Sequence, residues 1–102
     1  MSYSKSDEKL DKLLNKVKDE ESFLKFAEAL YLDWIDEVEK EKKKPSPPYS
    51  SGANGWENGT IDAFLEASVA WARSGGKDPS VDIGNNLWKY FAAFLYAGKH
   101  YE

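Results

Sequence analysis

The chain has no cysteine, one histidine and no long apolar run. Without Cys there is no disulfide, no thiolate nucleophile and no Cys-ligated metal, which makes the cytoplasm the expected compartment. His100 has no second ligand three or four residues away and no nucleophile beside it, so a surface position is expected, and no metal or cofactor. The opening Met-Ser-Tyr-Ser-Lys-Ser-Asp-Glu-Lys lacks the apolar core of a signal peptide, and Phe91 to Gly98 is far too short to cross a bilayer, so no membrane partner is expected. Gly75-Gly76-Lys77 is not preceded by a strand, which removes a phosphate loop. Strand-like alternation, internal repeats and heptad runs are missing as well.

Positive charge is also in short supply, with 14 Lys and Arg against 18 Asp and Glu and a net charge of −4. Phosphate backbones are bound by clustered cations, so nucleic acid is an unsuitable partner and a basic protein a better one. Lys40 to Lys44 is the densest basic stretch. Asp36, Glu37 and Glu39 flank it and no aromatic residue is interleaved, so it reads as a helix tail.

What the chain does have is rings: four Trp, six Tyr and five Phe in 102 residues. One domain of this length buries about 60–70% of its unfolded surface. Bulky aromatics fill such a core efficiently and leave ring surface over for the exterior.

Four helices are predicted. The first has Ser6 as its cap, Asp7 and Glu8 in its opening turn, and a narrow stripe of Leu10, Leu13, Leu14 and Val17. That narrowness makes residues 1–16 a peripheral or partly mobile element. Asp19 caps the second and main core helix, in which Phe23, Leu24, Phe26, Ala27, Leu30, Tyr31, Trp34, Ile35 and Val38 recur at three and four. Pro45, Pro47 and Pro48 stop it, and residues 45–55 read as a flexible loop. The third helix runs from about Thr60 to Arg73, turns Ile61, Phe64, Leu65, Val69 and Trp71 inward, and ends at Ser74-Gly75-Gly76. Asn85 or Asn86 caps the fourth, which carries Leu87, Trp88, Phe91, Ala92, Leu95 and Tyr96. The fold class is therefore all-α: a single domain over 1–102, an irregular bundle with a long Pro/Gly/Ser loop between its second and third helices.

From about Val17 to Glu102 the chain resembles an uncharacterised family of small bacterial proteins. The resemblance is carried by Phe23, Phe26 and Leu30, by the block Trp56 to Ala67 with Trp71 after it, and by Trp88, Phe91, Ala92 and the closing Tyr101-Glu102. It implies an all-helical cytoplasmic protein and brings no catalytic residue with it. Gly98 falls where that pattern is richer in Ala, and a helical Gly costs about 0.5–1 kcal/mol, so a loose final turn is expected.

Candidate functional residues are few. Asp33, Asp36 and Glu37 share one side of the second helix, where they either accept Lys and Arg from a partner or form an ordinary solvated face. No His, Lys or Tyr is placed beside them for acid–base work, so they are not read as catalytic and no enzyme is expected. Tyr49 and the Trp56-Glu57 pair bound the long loop. Trp56 is either an exposed recognition tip or a staple packed on Ile61 or Phe64. Glu66 is expected to be exposed, and Trp34, Trp71 and Trp88 to build the core. Taken together, these features point to a protein-binding module of immunity or inhibitor type with an acidic face, or to a self-associating homodimer.

Overall fold

The computed structural model describes residues 5–78 and 81–101. Among them lie four helices: α1 (Lys5–Lys16), α2 (Glu20–Lys43), α3 (Ile61–Arg73) and α4 (Leu87–His100). None is long and apolar enough to cross a membrane.

The helix boundaries follow from side-chain chemistry. Asp19 accepts from the Ser22 amide at 3.0 Å while the Ser22 hydroxyl accepts from the Asp19 amide at 3.1 Å, a reciprocal cap that satisfies donors left free at the start of α2. Thr60 and Asn86 cap α3 and α4 through the amides of Ala63 and Lys89. At the end of α3 the Gly75 amide donates to Ala72 and the Gly76 amide to Trp71, so the last carbonyls are answered by the two glycines. Ser6 is not a cap. It stands inside the first turn of α1, and its hydroxyl donates to the Asn54 carbonyl at 3.4 Å.

Over residues 5–16 the first element is not peripheral, and the rest of that expectation, residues 1–4, lies outside the described residues. Leu10, Leu14 and Val17 are wholly enclosed and meet Phe26 and Tyr96 in the main core. A stripe only two or three residues wide is sufficient here because α1 rests in the angle between α2 and α4 and touches both.

α3 packs closely on α4 and on no other helix. Gly98 permits that approach: a Cβ there would sit 2.6 Å from Phe64 Cε1 and 2.7 Å from Ser68 Oγ. The expected loose turn is thus a tight helix crossing, reinforced by the Ser68 hydroxyl donating to the Phe94 carbonyl at 2.7 Å. The same closeness explains why α4 turns the small Ala92, Ala93, Ala97 and Gly98 inward, alongside the buried Tyr96 and Lys99. Leu87, Trp88 and Phe91 remain exposed, which corrects their assignment to the core. Trp88 only leans on Phe23, 5.6 Å between ring centres. Trp71 is buried as expected and Trp34 partly so.

Candidate functional site

Three elements converge on the C-terminal half of α2. Its inner face carries Asp33 and Glu37, both buried, in place of the apolar residues that occupy that face one and two turns earlier. The expectation that Asp33, Asp36 and Glu37 share a solvent-facing surface is therefore corrected for two of the three. Only Asp36 stays outside, and even it is engaged by Lys40 at 2.9 Å and by the side-chain amide of Asn54 at 3.0 Å. Those two partners, Asn54 first, hold its carboxyl below the usual range.

Glu37 organises the loop that follows α2. One of its oxygens accepts from the Asn54 amide at 3.0 Å and the Trp56 amide at 3.2 Å. Burial raises its pKa, opposed by these two bonds. Gly52 lies against the same carboxylate so closely that any Cβ would collide with it. One turn on, Glu41 accepts from the Ser46 amide and hydroxyl and from the Ala53 amide. Its pKa is lowered by Ser46 and then Ala53. Asn54, itself enclosed, donates to the Asp33 carbonyl and accepts from Lys40 Nζ at 2.8 Å. Residues 45–55 thus form a strap pinned to α2 by two carboxylates and the Asn54 side chain.

Beneath the strap lies a fully buried ammonium. Lys99 Nζ sits 2.8 Å from Asp7 Oδ1 and 2.9 Å from Asp33 Oδ2, joining α4 to α1 and α2. The Trp56 indole N–H donates to the same Asp33 oxygen at 2.9 Å, and the Tyr96 hydroxyl to Asp7 at 3.1 Å. The Lys99 ammonium also lies 5.7 Å from the centre of the Trp56 ring. Burial, then the negative charge of Asp7, pushes the Tyr96 phenol far above its ordinary value. His100 is half-buried, 4.8 Å from Tyr96 ring to ring and 3.9 Å from Asp7, which corrects the surface position expected of it. Burial lowers its pKa, with Asp7 opposing. The Lys99 side chain is enclosed on every side and held by two carboxylates. Its work is to lock three helices at one point.

Trp56 is buried, so it packs as a staple and is not an exposed tip. It receives Trp34 edge-on at 5.1 Å and stacks on Phe64 at 6.2 Å, while Ile61 stays 81% exposed. The next two residues close the end of α4: the amides of Glu57 and Asn58 donate to the Lys99 carbonyl, and the Asn58 side chain to Gly98 and Tyr101. Tyr49 stands apart from all of this, fully exposed at the tip of the strap with φ of 66°, a backbone region that an aromatic residue rarely adopts.

The ring ladder Trp34–Trp56–Phe64 forms one wall of an open apolar groove of 460 Å³ between α2 and α3. Both helices pack on α4 but not on each other, and Leu30, Leu95 and Phe64 line the gap. Its edges carry Tyr31, Ile61 and Leu65, at 55%, 81% and 49% exposure. These residues, with Leu24, Ile35 and Val69, were expected inside. The apolar arc of α2 spans more than the surface α1 and α4 cover, and α3 turns only Ala67, Ser68 and Trp71 fully inward.

The sequence places Tyr96 on the apolar stripe of α4 but does not mark Asp7, Asn54 or Lys99 as its partners in a buried centre. For Asp7 a signal was present: it falls three and seven residues before Leu10 and Leu14 and so shares their stripe. For Lys99 the equivalent signal is its place three residues after Tyr96 and seven after Ala92, on their stripe.

The fold and this centre define a small all-α domain built around a buried Asp–Lys–Asp lock, with an uncovered groove on its outer side. The chain belongs to DUF7660, a family of unknown function, whose model matches residues 19–102. That span takes in α2, the strap, α3 and α4, and leaves α1 outside it. No curated protein and no solved structure matches the chain.

Proposed function

We propose that this chain is a non-catalytic, cytoplasmic protein-binding module that docks its partner in the groove between α2 and α3. One observation carries the reading: two helices seated on the same third helix leave an apolar trough between them, edged by Tyr31, Ile61 and Leu65. Exposed apolar surface gathered in one place, rather than scattered singly, is the mark of an interaction site. The acidic exterior suits an immunity- or inhibitor-type role, in which the module covers a basic surface of its target. With Asp33 and Glu37 turned inward, that role rests on the groove and its surroundings rather than on the inner face of α2.

Self-association is the second reading, favoured by a separate exposed patch of Leu87, Trp88 and Phe91 on α4. Two measurements divide the readings. Sedimentation across a hundredfold concentration range should give a constant monomer mass. Capture on the immobilised native chain should retain one stoichiometric protein that an Ile61→Asp/Leu65→Asp variant loses. An identical retained set for both chains counts against the groove, and a mass that rises with concentration favours the homodimer.

A further inference from the structure

We infer that the occupant of the groove is an amphipathic helix of a partner protein, about three turns long, whose apolar stripe is bordered by Lys and Arg. This rests on the groove being the docking surface and deepens that reading by naming what fits it.

The length comes from the walls. The groove itself is lined from Ala27 to Trp34 on α2 and from Ile61 to Leu65 on α3, and exposed apolar residues extend that surface beyond it to Leu24 and Ile35 on α2 and to Val69 on α3. At 1.5 Å per residue the extended surfaces are about 17 Å and about 12 Å of wall, the reach of a helix of two to three turns. A helix suits the slot because α2 and α3 already flank α4 with a gap between them, and a further helix laid there would cover both apolar edges at once.

The charge comes from what stands beside those walls. Glu28 lies one turn from both Leu24 and Leu32, at the outer edge of the α2 stripe. Asp62 and Glu66, one turn apart on α3, directly follow Ile61 and Leu65 in sequence, and all three acids are exposed. The Thr60 hydroxyl beside Asp62 holds its carboxyl below the usual range, so it is ionised at neutral pH. Lys25 lies about 60° farther round α2 from the stripe than Glu28 does. Lys42, beyond Ile35, is paired with Glu39 at 3.4 Å. No basic residue occurs on α3 before Arg73 in its last turn. Both borders of the trough are therefore acidic. A second copy docked groove to groove would bring Glu28, Asp62 and Glu66 against their own kind, whereas a helix with cations on both sides of its apolar stripe would answer them.

The test uses two synthetic helical peptides of about 15 residues with the same leucine stripe, one bordered by Lys and the other by Glu. Binding to the full chain is read by calorimetry and by the fluorescence of Trp34 and Trp56 in the groove wall. The Lys-bordered peptide should bind at least tenfold more tightly, with the gap narrowing as salt is raised. A Glu28→Lys/Glu66→Lys variant should reverse the preference, and Ile61→Asp/Leu65→Asp should abolish binding, each with an unchanged circular dichroism spectrum. Equal affinity for the two peptides, abolished by Ile61→Asp/Leu65→Asp, overturns the basic helix and leaves the groove reading standing. If neither peptide binds, or if the aspartate pair changes nothing, the groove reading falls with it. A dimer that the aspartate pair dissolves replaces the foreign helix with a second copy.

Discussion

Replacing Lys99 with Met gives the sharpest test of the buried lock. Met keeps roughly the length of the side chain and removes its charge. Asp7 and Asp33 then remain enclosed, with Tyr96 and Trp56 still donating to them but no cation between them. Deleting one partner of a buried ion pair costs about 3–5 kcal/mol, chiefly because the remaining charge has lost both water and counter-ion. For a domain of this size, whose whole stability is about 5–15 kcal/mol, the expected fall in Tm is about 12 °C or more. Thermal unfolding followed by far-UV circular dichroism measures it, and urea unfolding followed by Trp fluorescence gives the loss of free energy. The reasoning makes a second demand. A triple variant, Lys99→Met with Asp7→Asn and Asp33→Asn, removes every charge while keeping acceptors for Tyr96 and Trp56, and it should recover at least half of the loss. A single substitution costing under about 1 kcal/mol, or a triple variant no better than the single, would refute the account of Lys99 as a charge-neutralising lock.

Gly98→Ala should destabilise the domain by about 1–3 kcal/mol in thermal unfolding, although Ala is the better helix former, because its methyl group has no room against Phe64 and Ser68. Asn54→Ala should cost about 1–3 kcal/mol, since it strips a partner from the Asp33 carbonyl, Asp36 and Lys40 together, and limited proteolysis should then cut within 45–55. His100 has a lowered folded pKa, so its unfolded form takes the proton first as pH falls through about 6.5. Its contribution is present above that value and is lost on acidification. His100→Gln should therefore flatten the stability profile between pH 7.5 and 5.5, and an unchanged slope would disprove the assignment. Ile61→Asp, on an 81% exposed side chain, should leave stability within about 0.5 kcal/mol in urea titration while impairing whatever the groove binds.

The helices and, apart from the start of α1, their ends are legible from sequence because they depend on local chemistry: Asp19 with Ser22, Thr60, Asn86 and Gly75-Gly76 all act within five residues of themselves. The inside and outside of those helices are not. Leu24, Tyr31, Ile35, Ile61 and Leu65 satisfy helical periodicity as well as Phe26, Leu30 and Trp71 do, yet α2 has only α1 and α4 against it and α3 only α4, too few to cover apolar arcs that wide. Buried charge is harder still to foresee. Asp33 and Glu37 on a charged helix look like solvated residues until Lys99 and the amides of Asn54 and Trp56 arrive from distant sequence. Gly98 misleads for a related reason: its local cost is visible, and the helix crossing it permits is not.

The Asp7–Lys99 contact spans 92 positions, and this governs when the fold can form. On the ribosome α1 emerges long before α4, at about 5–20 residues per second. During that interval Asp7 has no cation to meet, and the face of α1 that carries Leu10 and Leu14 has only α2 to rest on. Consolidation must wait until residue 99 has cleared the exit tunnel, so a nascent chain stalled short of that point should stay protease-sensitive throughout.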